Sequence, residues 1–478
     1  MRRVIYAYLG FILLWSTGCS RTTWKVVDIN GSEYVSVESF GAKGNNRNDD
    51  RLAIQRAFES GKDIYFPSGD YLLASKTAQN ALLRITENNY PSKIYFDDNA
   101  KIVVSSRQPT DYIKPAVIGI YTLKGDIKSI EIDGLTIDGN RDSHSIKNGG
   151  LVAYEKRGTA IHNLILKNIT IVDVGYGGIH TQARYNQFTN IYTENCGSHG
   201  IGIINTTNKG VTNEFYLDGY TSIDDDAYSI DFSGPKDPEN RGYVFPGYDW
   251  KGSAKNIVSR GSYYGIKTAG YWDLLLENVV IEDSEHNGFF INTDAPGKTL
   301  TLKNVTIRNA AGNGMSLAGE TNVIGEDIII EGGRVCMQIK KSKVKMKNLT
   351  LDGKNQNIGC LRMGTFGIDL ENFTIKNCGK EDQYPVWIAG NKVIMKNGKF
   401  VNNYSTTEII VNKTANQVFL DDLKFLDSSK RGNTKSATIL NIQTQGQTII
   451  ENCEFANNQN KVLADRVKRT VLKNNKSN

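Results

Sequence analysis

The sequence predicts an all-β fold, a single parallel β-helix closed at its N-terminal end by a short helix. Three observations predict it. A phrase of alternating apolar residues around an Asn recurs through most of the chain, no helical periodicity separates the recurrences, and Gly is abundant (46 residues) while Pro is scarce (9).

The recurring phrase reads LILKNITI from Leu164, LLLENVVI from Leu274, LTLKNVTI from Leu300, VKMKNLTL from Val344 and IDLENFTI from Ile368. Its Asn column comprises Asn168, Asn190, Asn256, Asn278, Asn304, Asn348, Asn372, Asn397 and Asn452, with Gly219, Asp327 and Asp422 filling the gaps. Most steps are 21 to 26 residues, which suits one coil of a solenoid and predicts about 12 to 14 coils in one body. Alternation with period two on each side of the Asn argues for strands. Strands stacked about 4.8 Å apart bring like residues into ladders, so the Asn column is read as structure and not as chemistry. A leucine-rich repeat would also carry the Asn, but its LxxLxL spacing is absent.

Ahead of the coils the chain divides differently. Arg2 and Arg3 precede an apolar run from Val4 to Trp15, too short to span a bilayer, followed by Ser16-Thr17-Gly18-Cys19. Residues 1–19 are therefore read as a signal peptide whose small residues before Cys19 resemble a bacterial lipobox, although Ser16 stands where Leu is usual. The expectation is lipidation of Cys19 and a bacterial envelope location, tethered to the outer membrane, periplasmic or secreted; the alternative is ordinary cleavage beside Cys19. Residues 20–34 follow as a tether, 35–75 as a cap segment and 76–478 as the β-helix. The net charge of +6 is mild for 478 residues, and no basic cluster interleaved with aromatics suggests nucleic acid. Cys196, Cys336, Cys360, Cys378 and Cys453 show no zinc-ligand spacing and are expected as buried structural thiols.

The cap segment, Val35 to Leu73, carries Phe40-Gly41-Ala42-Lys43-Gly44, Asp49-Asp50 before Leu52-Ala53-Ile54-Gln55, and Phe66-Pro67-Ser68-Gly69-Asp70-Tyr71. Asp49 or Asp50 can cap an amphipathic helix running to about Glu59, which would plug the open end of the solenoid. This segment closely resembles the opening segment of the pectate-lyase-like superfamily, which includes rhamnogalacturonases, polygalacturonases, epimerases and tailspike proteins. The resemblance implies a right-handed helix and action on a glycan. It fixes fold better than reaction, since the superfamily holds hydrolases, lyases, epimerases and adhesins.

A site should appear as a departure from the repeat. Aligning the short strand after each Asn turn puts His180, Asp231, Lys267, Asn292, Ser316, Gln338, Arg362 and Trp387 on one outward face, with Asp294 two residues beyond Asn292. Nearby turns hold His199, the triple Asp224-Asp225-Asp226 and His286. Three adjacent carboxylates are costly to ionise together, so one is expected to have a raised pKa, unless they form an ordinary solvated turn. Between Gly219 and Asn256 the coil carries a long insertion with Tyr243, Phe245, Tyr248 and Trp250, and Tyr263, Tyr264, Tyr271 and Trp272 follow. Such an aromatic segment is read as a wall for stacking sugars.

Asn292-Thr293-Asp294, the Asp triple, Ser198-His199-Gly200 and Gly265-Ile266-Lys267 partly resemble polygalacturonase motifs. Their order along the chain differs, and Gly265 replaces an arginine, so the match marks a region and transfers no roles. The catalytic candidates are Asp225, Asp226, Asp231, Lys267 and Asp294. His180, His199, Tyr243, Tyr248, Trp250, Tyr263, Tyr264, His286, Asn292 and Arg362 are the binding candidates.

Three functions compete. Hydrolysis needs paired carboxyls, such as Asp231 with Asp294. A lyase or epimerase needs a base such as Lys267 or His180 and a cation to quiet the carboxylate, for which the face offers Lys267 and, farther off, Arg362, though no close arginine pair; calcium is the alternative if the reaction is a lyase's. A non-catalytic solenoid would need only the aromatics. The carboxylate count favours hydrolysis, the expected partner is a polysaccharide or oligosaccharide, which the mild positive charge allows to be acidic without requiring it, and no resident metal or other cofactor is called for.

Overall fold

A computed structural model describes residues 24–477, apart from 75–80, 106–115, 142–148, 205–211, 234–248, 428–437, 457–460, 466–469 and shorter gaps at 271, 292–293, 356–358, 365, 380–383, 405–406, 413 and 445. The chain winds as a right-handed parallel β-helix. Strands fall into two hydrogen-bonded sheets of 24 and 15 members. Among the described pairings only that between Val26–Ile29 and Ser32–Ser36 is antiparallel. The 15-stranded sheet runs coil by coil from Ala81–Thr86 to Lys461–Asp465, slightly more coils than the Asn count predicts.

The other sheet is bent at the Asn column. In the pairing of Ile161–Val172 with Tyr185–Glu194, ladder partners run from Asn163↔Tyr185 to Lys167↔Thr189, skip the Asn, and resume at Ile169↔Ile191. The column residues adopt the left-handed conformation, with φ 53° at Asn168, 55° at Asn278 and 54° at Asn372. Asn tolerates that region at least cost after Gly, and its amide bonds up the stack. Asn190 Nδ2 donates to Asn168 Oδ1 at 3.0 Å, Asn278 to Asn256 at 3.0 Å and Asn304 to Asn278 at 2.9 Å.

A second left-handed column lies five residues downstream and escaped the sequence reading. Asp173, Asn195, Asp224, Gly261, Asp283, Asn309, Gly332, Asn377, Asn402 and Asp427 all have positive φ. These residues also ladder, as in Asn195 Nδ2 to Asp173 Oδ1 (2.6 Å) and Asn402 Nδ2 to Asn377 Oδ1 (2.8 Å).

Between the sheets the inward residues form one continuous core of stacked Ile, Leu, Val and Phe. Phe66 and Phe96 stack at 4.1 Å, and Phe400, Phe425 and Phe455 follow at 4.7 and 4.9 Å. The helix Arg51–Phe58 closes the N-terminal end with Ala53, Ile54, Ala57 and Phe58 buried. Its Gln55 amide both donates to Arg84 O (2.9 Å) and accepts from Arg84 N (2.8 Å), imitating a neighbouring strand for the edge strand Ala81–Thr86. Asp50 precedes the helix without a side-chain capping bond; its carboxylate instead gathers Lys43 N and Gly44 N at 2.7 and 2.9 Å. Asp49 accepts from Arg51 N at 3.1 Å.

The cysteines correct one expectation. Cys360 and Cys378 form a disulfide, and Cys196, Cys336 and Cys453 remain buried thiols. No helix among the described residues is long and apolar enough to cross a membrane, and Cys19 lies outside them.

Candidate functional site

The outward column of the 15-stranded sheet is fixed by strand register. It runs Val152, His180, Gly202, Asp231, Lys267, Phe290, Ser316, Gln338, Arg362, Trp387. Phe290, not Asn292, lies beside Lys267; Asn292 falls outside the described residues. The sequence alignment slipped by two residues because Phe289 and Ile291 both satisfy the inward apolar pattern, and a slip of two keeps every side chain on its face.

Asp231 is the centre of the patch. Its Oδ2 lies 3.1 Å from Lys267 Nζ and 3.1 Å from His199 Nε2, and its Oδ1 accepts from Ser233 Oγ at 2.7 Å. These side chains are not on open surface as expected: Asp231 is 4%, Lys267 3% and His180 2% exposed. Period-two alternation gives direction, and it does not reveal what covers a face. Burial alone pushes the Asp231 carboxyl up. The His199 hydrogen bond, the Lys267 charge and the Ser233 hydroxyl outweigh it and hold the group below its ordinary value.

Histidines and aromatics surround this carboxylate. His199 Nδ1 meets Ser198 Oγ at 2.5 Å, and the His199 ring sits edge-on to His180 at 5.1 Å. His180 Nδ1 meets Tyr154 OH at 3.2 Å. The Lys267 ammonium lies 4.5 Å from the centroid of the Tyr228 ring. Tyr228 stacks on Tyr264 at 5.1 Å, Tyr264 on Phe290 at 5.6 Å, and His286 lies 4.8 Å from Tyr264. Tyr263, 40% exposed, contacts both Tyr264 and His286. Gly202 is needed here for space, because a Cβ there would fall 2.7 Å from His180 Cδ2.

Sequence reasoning missed Tyr228, Tyr154 and Phe290. A second column could have found Tyr228, since His199, Tyr228 and Tyr264 are in register one after another, three residues before the Gly202, Asp231 and Lys267 column.

The three consecutive aspartates have three separate environments. Asp224 is a left-handed turn residue of the second ladder. Asp225 is 1% exposed and points inward, accepting from Ser222 Oγ (2.7 Å), Thr193 Oγ1 (2.9 Å) and Cys196 N (3.0 Å). Burial raises its pKa to about 6 against those bonds, but the group faces the core and not a substrate. Asp226 is exposed and pairs with Arg141 at 2.6 Å. Asp294 lies four residues beyond Phe290, where it pairs with Lys341 (2.8 Å) and accepts from Glu320 N (2.9 Å). The structure thus brings Lys267 and His199 to Asp231, and commits Asp225, Asp226 and Asp294 to other partners.

One further expectation changes. Trp250 is fully buried and stacks on Trp272 at 4.8 Å, so it belongs to the core and not to a sugar-stacking wall. Tyr243, Tyr248 and Tyr271 lie outside the described residues. Arg362 sits four register steps beyond Lys267, in a separate pocket. Among the described residues no group of three or more His, Cys, Asp or Glu side chains is arranged to hold a metal ion.

The chain is 24% identical over 469 residues to the preneck appendage protein of Bacillus phage PZA, covering 84% of this chain and 54% of that protein. It is 24% identical over 408 residues to the pre-neck appendage protein of Bacillus phage phi29, covering 72% and 46%. It therefore spans about half the length of the curated relatives it matches. Among solved structures, the A-module of a mannuronan C-5 epimerase from Azotobacter vinelandii aligns with a TM-score of 0.42 at 12% identity, covering 91% of this chain and 99% of that one. A surface adhesin of Streptococcus pneumoniae aligns at 0.42 and 13% identity, covering 81% and 92%. Residues 34–316, more than half of the 478, match the family described as rhamnogalacturonase A/epimerase, pectate lyase-like, and the chain belongs to that family.

Proposed function

We propose that this protein modifies an acidic polysaccharide by proton transfer at the Asp231–His199–Lys267 patch, eliminating or epimerising a uronic-acid residue. The observation that supports this reading is one ionised carboxylate held between a histidine and a lysine. Hydrolysis needs two carboxyls facing one glycosidic bond, about 5 to 9.5 Å apart, and the aspartates considered as partners for Asp231 are engaged elsewhere. Paired-carboxylate hydrolysis, favoured by residue count, is therefore the weaker reading.

With Asp231 accepting from Nε2–H, the His199 lone pair lies on Nδ1, beside the Ser198 hydroxyl. In this mechanism Nδ1 takes the proton from the carbon next to the sugar carboxylate, directly or through Ser198. The C–H electrons pass into the carboxylate, whose added charge is met by the Lys267 ammonium. Return of a proton from solvent water to the opposite face, with His199 giving its proton back to water, gives the epimer. Expulsion of the glycosidic oxygen across the adjacent bond, with that oxygen taking its proton from water and His199 again releasing its own to water, gives an unsaturated product. A divalent cation such as calcium could share the charge with Lys267, and chelation tests this.

The deciding experiment incubates the protein with a panel of uronate polymers. Ultraviolet absorbance reads elimination, NMR reads epimerisation and a reducing-end assay reads hydrolysis. His199→Ala should lower turnover about 100-fold or more. New reducing ends without unsaturation, insensitive to His199→Ala, would return the protein to the hydrolases. A second reading, a glycan-binding solenoid without catalysis, is favoured by the near-complete burial of the Asp231–Lys267 pair. It predicts binding without turnover of any polymer.

The Arg-led apolar segment before Cys19 supports attachment to the bacterial envelope through a lipid. Loss of fatty-acid labelling in Cys19→Ser tests it.

A further inference from the structure

The outer face of the 24-stranded sheet carries a pattern of its own in the later coils. Two outward columns run side by side across the successive strands Thr299–Arg308, Asn322–Glu331, Lys343–Asp352, Ile368–Lys376, Lys392–Val401 and Gln417–Leu426. The first reads Thr301, Ile324, Lys345, Asp369, Ile394, Phe419 in register. The second, two residues downstream, reads Lys303, Glu326, Lys347, Glu371, Lys396, Asp421, so the sign of the charge alternates at every coil. Ile324 is 47% exposed, and Ile394 and Phe419 are half-buried. Ile324, Lys345, Asp369 and Ile394 line an open cavity of about 600 Å³ on this face. Among the described residues, no ion pair or hydrogen bond within the chain engages the side chains of Lys345, Asp369, Glu326, Lys347 or Glu371.

Both columns turn into their own complement about one line, which runs along the strands between the Lys345 and Asp369 coils. Half a turn about that line sets Lys345 against Asp369 and Ile324 against Ile394. In the second column it sets Lys347 against Glu371, Glu326 against Lys396 and Lys303 against Asp421. Every charge then meets its opposite, and each isoleucine meets the other. Moving the line by one coil toward the N-terminus would press Lys345 on Ile324 and Asp369 on Thr301, dehydrating two charges without partners. Placing it on a coil instead of between two would set like charges together throughout the second column. The pattern thus selects one register, and self-complementarity is the requirement of a two-fold contact. A polymer of uniform charge would meet its own sign at every second coil.

We propose that this face is a two-fold interface between two copies of this chain, packed sheet to sheet with their coil stacks antiparallel. Lys345 of each copy enters the cavity of the other to reach the partner's Asp369, and Ile324 and Ile394 supply the apolar contact. Six coils at about 4.8 Å and five residues at about 3.3 Å give roughly 500 Å² on each copy, about 1,000 Å² in all, at the lower end of specific interfaces. The dimer is therefore expected to be weak and concentration-dependent. Asp231 and its neighbours lie on the other sheet and stay uncovered, so the inference does not rest on the proposed function.

The test is sedimentation equilibrium over a protein concentration series, on the full chain carrying Cys19→Ser so that no lipid gathers the copies. This parent chain should show a monomer–dimer equilibrium that weakens as salt is added. Lys345→Asp sets an aspartate against the partner's Asp369, and Asp369→Lys sets a lysine against the partner's Lys345. Each variant alone should associate about tenfold more weakly or worse, since like charges are then brought together. An equimolar mixture of the two should regain the parent's association, because in the heterodimer both contacts have opposite sign. Both substitutions in one chain should restore self-association as well, which also shows that these exposed positions leave the fold intact.

The proposal is overturned if the parent stays monomeric at every concentration, or if it assembles as a trimer or a larger closed ring. It is equally overturned by a dimer that ignores both single variants, as one formed through another surface would, or by a mixture of the variants that fails to associate.

Discussion

Replacing Asp231 by Asn tests whether the patch is a dehydrated charge centre. In the wild type the carboxylate has one bond to an ammonium, one to an imidazole and one to a hydroxyl, and only 4% of the residue is exposed. The amide keeps the shape and removes the charge, leaving Lys267 buried without its counter-ion. Breaking a buried pair from one side costs about 3 to 5 kcal/mol. The Tyr228 ring beneath the ammonium offsets part of this, on the order of 1 kcal/mol. A net loss of about 3 kcal/mol is expected, against about 0.5 kcal/mol for a solvated strand position. Adding Lys267→Met should recover most of the loss, giving a coupling of about 2 kcal/mol between the two sites. Hydrogen exchange in the strands Tyr228–Ser233 and Tyr264–Ala269 is the suitable assay, because stacked repeats can open locally. The pH dependence has a definite sign. Since the folded pKa of Asp231 lies below the ordinary 3.8, its contribution is fully present above about pH 4 and is lost as pH falls through the folded value. The gap between wild type and Asp231→Asn should therefore be constant at neutral pH and close in acid. A loss below about 0.5 kcal/mol with no coupling to Lys267 would refute the dehydrated centre.

Asp225 has the opposite sign: its pKa is raised to about 6, so its contribution should fall as pH rises from about 4 to about 6, by on the order of 3 kcal/mol. Asp225→Asn should abolish that decline in a pH series of urea midpoints. Asn278 has φ 55° and exchanges ladder bonds with Asn256 and Asn304, so Asn278→Ala should cost about 2 kcal/mol and Asn278→Gly about 1, measured by chemical denaturation. Equal costs would mean that backbone conformation does not govern the column. Reduction of Cys360–Cys378, separated by 18 residues, should lower stability by about 3 kcal/mol, read by denaturation with and without reductant, with peptide mapping to confirm the pairing.

The coil rhythm was legible because Asn fills nine of the twelve positions of the first column, from Asn168 to Asn452, and because apolar alternation flanks it. The second column was hidden by composition. Asn, Asp and Gly share the left-handed region and alternate there, so no letter repeats while the backbone does. At the site, Asp231 and Lys267 were legible as outward neighbours, since register follows from the repeat itself. Their burial was not legible, because it depends on neighbours distant in sequence. The division of labour in Asp224-Asp225-Asp226 was equally hidden. It is set by one turn residue in the left-handed region, which sends the next side chain into the core and the third outward.

The two left-handed columns act as a fixed ruler. Asn190 and Asn195, Asn278 and Asp283, and Asn397 and Asn402 keep the same five-residue interval, while the first column's amides bond to the preceding coil across sequence separations from 21 to 38. Even across the long insertion, pairing on this interval is preserved from Tyr220↔Ile257 to Ile223↔Arg260. Length variation is confined to the rest of each coil, the part that carries the outward column. Staying stacked and acquiring chemistry are therefore separate design problems in this chain. Segments outside the ruler can be lengthened, shortened or exchanged between coils, and a transplant that respects the interval should inherit its register from the recipient.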